Sequence, residues 1–131
     1  MEGMALVGAL QISELPPPRS GKVRDVYDLG NEVLIVASDR ISAFDVIMEN
    51  GIPGKGVILT QMSNFWFELL SNICPNHLVE TSDDAILERV PGNDAHLMGR
   101  SVVARKAKPL PIECVVRGYI TGSLLKEYRA D

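Results

Sequence analysis

The sequence predicts an α+β domain with a largely antiparallel sheet and flanking helices. Strand patterns come early, at 22–28 and 33–37, and late, at 100–107 and 112–119. Helical spacing fills the middle of the chain, at 60–73 and 83–90. A doubly wound parallel fold would instead alternate strand and helix throughout. The 131 residues suffice for one domain, and 46% hydrophobic against 23% charged residues is a globular balance, not a disordered one.

Residues 1–20 read as a leader, where Pro16, Pro17 and Pro18 exclude a helix and favour a stiff extended connector. From Gly21 the chain alternates. Val23, Asp25 and Tyr27 fall on one side, and Lys22, Arg24, Val26 and Asp28 on the other. Leu29-Gly30-Asn31-Glu32 is a turn and Val33 to Ala37 a buried strand, so the pair is a hairpin. Residues 38–50 are less regular, and Gly51 to Gly56 is a glycine-rich loop. Thr60 is the expected N-cap of a helix to Ile73, with Phe65, Trp66, Leu69 and Leu70 at helical spacing and Pro75 ending it. Ser82 is the expected cap of a helix over 83–90, with Asp83 and Asp84 in its first turn where the dipole favours acids. Two further strands follow, at 100–107 and, after Pro109 and Pro111, at 112–119. Gly122-Ser123 opens a last helix that Asp131 leaves unfinished.

A net charge of −4 argues against a general nucleic-acid binder, so any functional positive charge must be local. Ala5 to Leu10 is too short an apolar run for a signal peptide or membrane span, which points to a cytoplasmic protein. Cys74 and Cys114 sit in apolar stretches and are expected as buried free thiols. With His77 and His96 they form no zinc pattern. Oligomeric state is left open.

Three clusters have the residue types for chemistry. Lys22 and Arg24, beside Gly21, form a candidate polyphosphate clamp, although on spacing alone a solvated strand face is the stronger reading. It is not a Walker A motif, because Val23 follows Lys22 where Ser or Thr is required. Asp39, Arg40, Ser42 and Asp45 follow a buried strand, as binding groups often do, but a polar turn with local caps is an equal reading. In the third cluster, Glu113 and Arg117 lie four residues apart, about 13 Å on a strand, too far to pair. Arg117 therefore needs its own anion, and Thr121-Gly122-Ser123 adds free N–H groups at a helix start. The plainer alternative pairs Arg117 with an acid elsewhere and leaves Ser123 as a cap.

The run from Leu110 to Ser123 closely resembles the signature segment of the SAICAR synthetase family. Gly21 to Tyr27 resembles that family's nucleotide loop, and Ser38 to Asp45 and Ile52 to Gly56 resemble two further blocks, in the same order. The resemblance implies a kinase- or ATP-grasp-like nucleotide lobe over 21–131, incomplete at its C-terminal end. It implies an ATP-dependent ligase whose substrates are ATP, aspartate and carboxyaminoimidazole ribonucleotide. By position it assigns Lys22 and Arg24 to ATP phosphates, Val26 and Leu34 to the adenine cover, and Lys106 and Glu113 to the adenine edge. Arg117 and Ser123, with Ser42 and Asp45 nearby, fall to the ribonucleotide. Mg2+ would accompany ATP, held by an acidic motif further along the family's chain, so no metal ligand and no catalytic residue is assigned here. The alternatives are a non-catalytic nucleotide-binding module, a kinase-like phosphotransferase lobe and a structural domain. Only the ribonucleotide reading gives the Arg117–Ser123 cluster a ligand.

Overall fold

A computed structural model describes residues 4–90, 94–112 and 114–130. In chain order the elements are β1 (Arg19–Ser20), β2 (Arg24–Asp28), β3 (Glu32–Ala37), β4 (Ser42–Ala43), β5 (Val46–Ile47), α1 (Lys55–Leu69), β6 (Leu78–Glu80), α2 (Asp83–Arg89), α3 (Asp94–Leu97), β7 (Ser101–Arg105) and α4 (Gly122–Ala130). Five strands form an antiparallel sheet in the order β1-β2-β3-β7-β6, and β4 and β5 form a separate small hairpin. The class is α+β, as the sequence predicts.

Register decides which side chains face which layer. Tyr27 pairs with Leu34, and Leu34 with Val103, so these three share one face. That face holds the core, where Tyr27, Leu34, Val36 and Val103 pack with Ile86, Val90 and Leu97. Full burial of each large apolar side chain contributes about 1.5–3 kcal/mol. The segment ahead of Gly21 joins this layer: Ile12 is buried in it, and the Tyr27 hydroxyl donates to the Leu10 carbonyl at 2.8 Å. Burial, Asp25's charge next, raises the Tyr27 hydroxyl's pKa above its ordinary value. The opposite face carries Val26, Ile35 and Val102, with α1 lying beside it.

The first helix begins at Lys55 rather than after Thr60. Thr60 lies inside it and its hydroxyl donates to the Arg100 carbonyl at 3.3 Å. The Asp39 carboxylate takes the capping role from outside, accepting the Gly56 N–H at 2.8 Å. Gly56 also touches the sheet: a Cβ there would lie 2.2 Å from the Ala37 carbonyl oxygen. Backbone cannot yield as a flexible side chain can, so Gly56→Ala is expected to cost about 3 kcal/mol, readable as a lower denaturation midpoint at unchanged slope.

Two expectations are corrected. No strand forms over 112–119 among the described residues. Val116 is 96% and Tyr119 86% exposed, so the apolar pattern there meets no sheet edge with which to pair. Cys74 and Cys114 are free as expected but exposed, since α1 ends at Leu69 and the second segment does not pack.

Candidate functional site

The turn between β1 and β2 carries Lys22, and β2 begins at Arg24, so the two do not stand side by side on one strand face as expected. Lys22 turns to the β4–β5 hairpin, where its Nζ lies 2.5 Å from Asp45 Oδ1. That hydrogen bond and the Lys22 charge hold the Asp45 carboxyl below its ordinary pKa. Phe44 and Asp45 both have positive φ, 50° and 65°, which closes the hairpin tightly and points Asp45 outward. Ser42 is half-buried at its base, in register with Ile47.

Behind this turn lie two buried ion pairs. Arg40 grips Asp25 through both oxygens, at 2.9 and 3.1 Å. Arg100 grips Asp39 in the same way, at 3.0 and 3.2 Å. Burial pushes the Asp39 carboxyl up, but hydrogen bonds from Arg100, Gly56 and Leu6 outweigh it and leave its pKa below the ordinary value. Asp39 and Arg40 are therefore scaffold for the surrounding loops, not free polar groups.

Val26 and Leu34 cannot form one cover. Leu34 is fully buried on the core face, while Val26 pairs with Ile35 on the other. Ile35, not Leu34, is the residue beside Val26 on that face. This apolar face ends in cations: Arg24 at the start of β2 and Lys106 just past β7. Lys106 Nζ lies 2.5 Å from Asp28 Oδ2 at the far end of β2, about 13 Å of strand from Arg24. The Lys106 hydrogen bond, with one from the Gly30 N–H, lowers the Asp28 pKa. A cavity of about 240 Å3 opens between this face and α1, lined by Ile35, Val102, Leu59 and Phe67 with Arg24, Lys55 and Arg100 on its polar side.

Arg117 and Ser123 come together. They line one open pocket of about 470 Å3 with Tyr119, Ile120 and Glu127. The Arg117 guanidinium lies against Gly122, its nearest nitrogen 3.6 Å from where a Cβ would sit. Gly122 has φ +64°, so glycine serves the turn at the helix start. A guanidinium at the first turn of α4, whose N–H groups are free of intrahelical partners, is suited to an anion.

The SAICAR synthetase family model matches residues 18–131. The chain belongs to the SAICAR synthetase family. It is 63% identical over 110 residues to a phosphoribosylaminoimidazole-succinocarboxamide synthase of Syntrophotalea carbinolica, covering 83% of this chain and 37% of that one. A synthase of the same name from Pichia angusta is 55% identical over 122 residues, covering 88% of this chain and 40% of the relative. A solved SAICAR-synthase from Saccharomyces cerevisiae, complexed with SAICAR, superposes with TM-score 0.85 at 44% identity, covering 96% of this chain and 45% of that one. Another solved SAICAR synthase gives TM-score 0.86 at the same identity. The chain thus spans about two-fifths of the length of the curated relatives it matches.

Within this SAICAR synthetase chain the signature segment keeps Arg117 and Ser123 in one pocket. Glu113, expected at the adenine edge, lies outside the described residues. Ile35, Arg100 and Lys55 were not singled out from sequence. Ile35 had a signal in the register that Tyr27 imposes on Leu34, whereas Arg100 and Lys55 enter the cavity only through tertiary packing.

Proposed function

We propose that this chain carries the ATP-facing and ribonucleotide-facing parts of the site of an ATP-dependent ligase of purine biosynthesis. The reaction joins aspartate to carboxyaminoimidazole ribonucleotide and releases ADP and phosphate. Residues 21–131 form the nucleotide lobe in this reading. The observation that carries it is the pocket in which Arg117 and Ser123 meet at the start of α4.

A carboxylate is a poor electrophile. Transfer of the terminal phosphoryl group of ATP to the imidazole carboxylate yields an acyl phosphate and ADP. The aspartate amine then attacks the acyl carbon, the bond to phosphate oxygen breaks, an amide forms and the amine loses a proton. The substrates together carry a triphosphate, a ribonucleotide phosphate and carboxylates, so the protein's main task is to hold anions in line. Lys22 and Arg24 take the ATP phosphates, Val26 and Ile35 cover the base, and Lys106 with Glu113 borders its edge. Arg117 and Ser123 take an anionic group of the ribonucleotide, and Ser42 and Asp45 on the β4–β5 hairpin are assigned to the same substrate.

Magnesium would screen the phosphates, but no group of three or more His, Cys, Asp or Glu among the described residues is placed to hold a metal ion. A cytoplasmic setting agrees with the free cysteines, and no helix among the described residues is long and apolar enough to cross a membrane.

Calorimetric titration of the chain with ATP–magnesium, and separately with carboxyaminoimidazole ribonucleotide, tests the reading. Saturable binding of both ligands is the expected result. Absence of heat with either ligand, on a chain shown to be folded, would overturn it.

A further inference from the structure

Arg40, part of the scaffold behind the nucleotide loop, is the most heavily bonded side chain beside it. It is 8% exposed, and each of the five N–H groups of its guanidinium has a partner. Two go to the Asp25 carboxylate, which is itself buried and fixes the plane of the fork. One goes to the Val7 carbonyl at 3.0 Å. The remaining two reach into the turn between β1 and β2: Nε donates to the Lys22 carbonyl at 3.2 Å and Nη2 to the Gly21 carbonyl at 3.1 Å.

The rest of the turn is held in the same sense. The Val23 carbonyl accepts from both the Ser38 N–H, at 3.0 Å, and the Ser38 hydroxyl, at 2.8 Å. The Arg24 carbonyl accepts from the Gly21 N–H at 2.7 Å. Every carbonyl from Gly21 to Arg24 is therefore engaged by the protein. Among the described residues, the N–H groups of Lys22 and Val23 have no hydrogen-bond partner.

We propose that Arg40 is a positioning residue for phosphate binding: it draws the Gly21 and Lys22 carbonyls inward, as Ser38 does that of Val23, leaving the Lys22 and Val23 N–H groups to face a phosphate oxygen. A carbonyl oxygen aimed at a phosphate would repel it, whereas successive N–H groups form an anion-binding concavity. A tight turn of this length can rotate its peptide planes, so something must choose their direction. The five-donor fork, locked by Asp25, makes that choice. This also gives the buried ion pair a reason beyond stability, since a buried pair alone is weak evidence for stabilisation. The proposal rests on the nucleotide reading above and adds to it the residue that orients the loop.

Arg40→Lys separates orientation from charge. An ammonium keeps the charge beside Asp25 but is a point donor and cannot span Asp25, Gly21 and Lys22 together. In the 15N-labelled chain, titration with tripolyphosphate is expected to shift the Lys22 and Val23 amide resonances to saturation. In Arg40→Lys, affinity for tripolyphosphate and for ATP is expected to fall about 10-fold, the cost of two poorly aimed charged hydrogen bonds, while affinity for adenosine stays within about twofold. Should Arg40→Lys not fold, amide hydrogen exchange in the unaltered chain decides: tripolyphosphate must slow exchange at Lys22 and Val23 specifically. Unchanged tripolyphosphate affinity in a folded Arg40→Lys, or silent Lys22 and Val23 amides while ATP binds, would overturn the Arg40 role and leave the nucleotide reading standing. If neither ATP nor tripolyphosphate binds the unaltered chain, both fall together.

Discussion

Asp39→Asn is expected to lower the folding stability of the chain by about 3 kcal/mol or more, the range found when one partner of a buried ion pair is removed. Asp39 is fully buried and its two oxygens accept four hydrogen bonds. Arg100 supplies two, the Gly56 N–H one and the Leu6 N–H one. These donors belong to β7's approach, the first turn of α1 and the N-terminal segment, so one carboxylate joins three parts of the chain. An Asn side chain fills the same space but presents an NH2 where a second acceptor is needed. Arg100, with its side chain 11% exposed, would lose half of its carboxylate fork and keep its charge. Against a typical total of about 5–15 kcal/mol, such a loss leaves much of the population unfolded at modest denaturant. Urea unfolding followed by circular dichroism measures it, and a change under about 1 kcal/mol would show that the pair does not hold these elements together.

The same residue sets an acid limb. Its native pKa lies below the ordinary 3.8, so above that value it is ionised in both states and its contribution is complete. As pH falls below 3.8 the unfolded chain takes up a proton before the native one does. Stability therefore declines until pH passes through the lowered native pKa. The Asn variant loses this part of the slope, so its stability curve below pH 3.8 should be flatter than that of the unaltered chain.

Asp39 also shows where sequence reading stops. Its position after a buried strand was visible, but its partners come from residues as far away as Arg100, and no local pattern announces them. The start of α1 was misplaced for the same reason, because the cap that a local Ser, Thr or Asp usually supplies is reached through space. The β2–β3 hairpin was legible because Asp25 and Tyr27 alternate with less buried neighbours. In β3 the run Val33 to Val36 is apolar throughout, since helices lie on both sides of the sheet, and alternation disappears. Hence Leu34 and Ile35 could not be told apart until pairing with β2 fixed the register. The segment 112–119 failed in the opposite direction. Its composition suits a strand, but a strand exists only where a neighbouring edge accepts its hydrogen bonds. By contrast, the nearness of Arg117 to Ser123 was legible because it depends on local chain, a guanidinium five residues from the start of a helix.

That locality underlies the second large effect. Arg117→Ala is expected to weaken ribonucleotide binding by a factor of roughly 10–100, the worth of about 1.5–3 kcal/mol of hydrogen bonding to a charged group. ATP affinity should change little, since the Arg117 pocket and the apolar sheet face share no lining residue. Stability should also change by less than about 0.5 kcal/mol, because Arg117 is exposed and makes no ion pair among the described residues. The combination matters more than any single value. If Arg117 instead served a structural pair, its removal would lower the melting temperature and leave ligand affinity intact. Arg117→Lys sharpens the test: it preserves the charge but not the planar fork, so partial recovery indicates long-range attraction and no recovery indicates bidentate recognition. Gly122→Ala approaches the same site from the other side. A Cβ at φ +64° is strained and stands 3.6 Å from the guanidinium, in ordinary contact, so the added methyl strains the helix start without displacing Arg117. Ribonucleotide affinity that falls with Arg117→Ala at unchanged melting temperature would leave recognition of an anion as the residue's function, and affinity that does not fall would remove the pocket from the site.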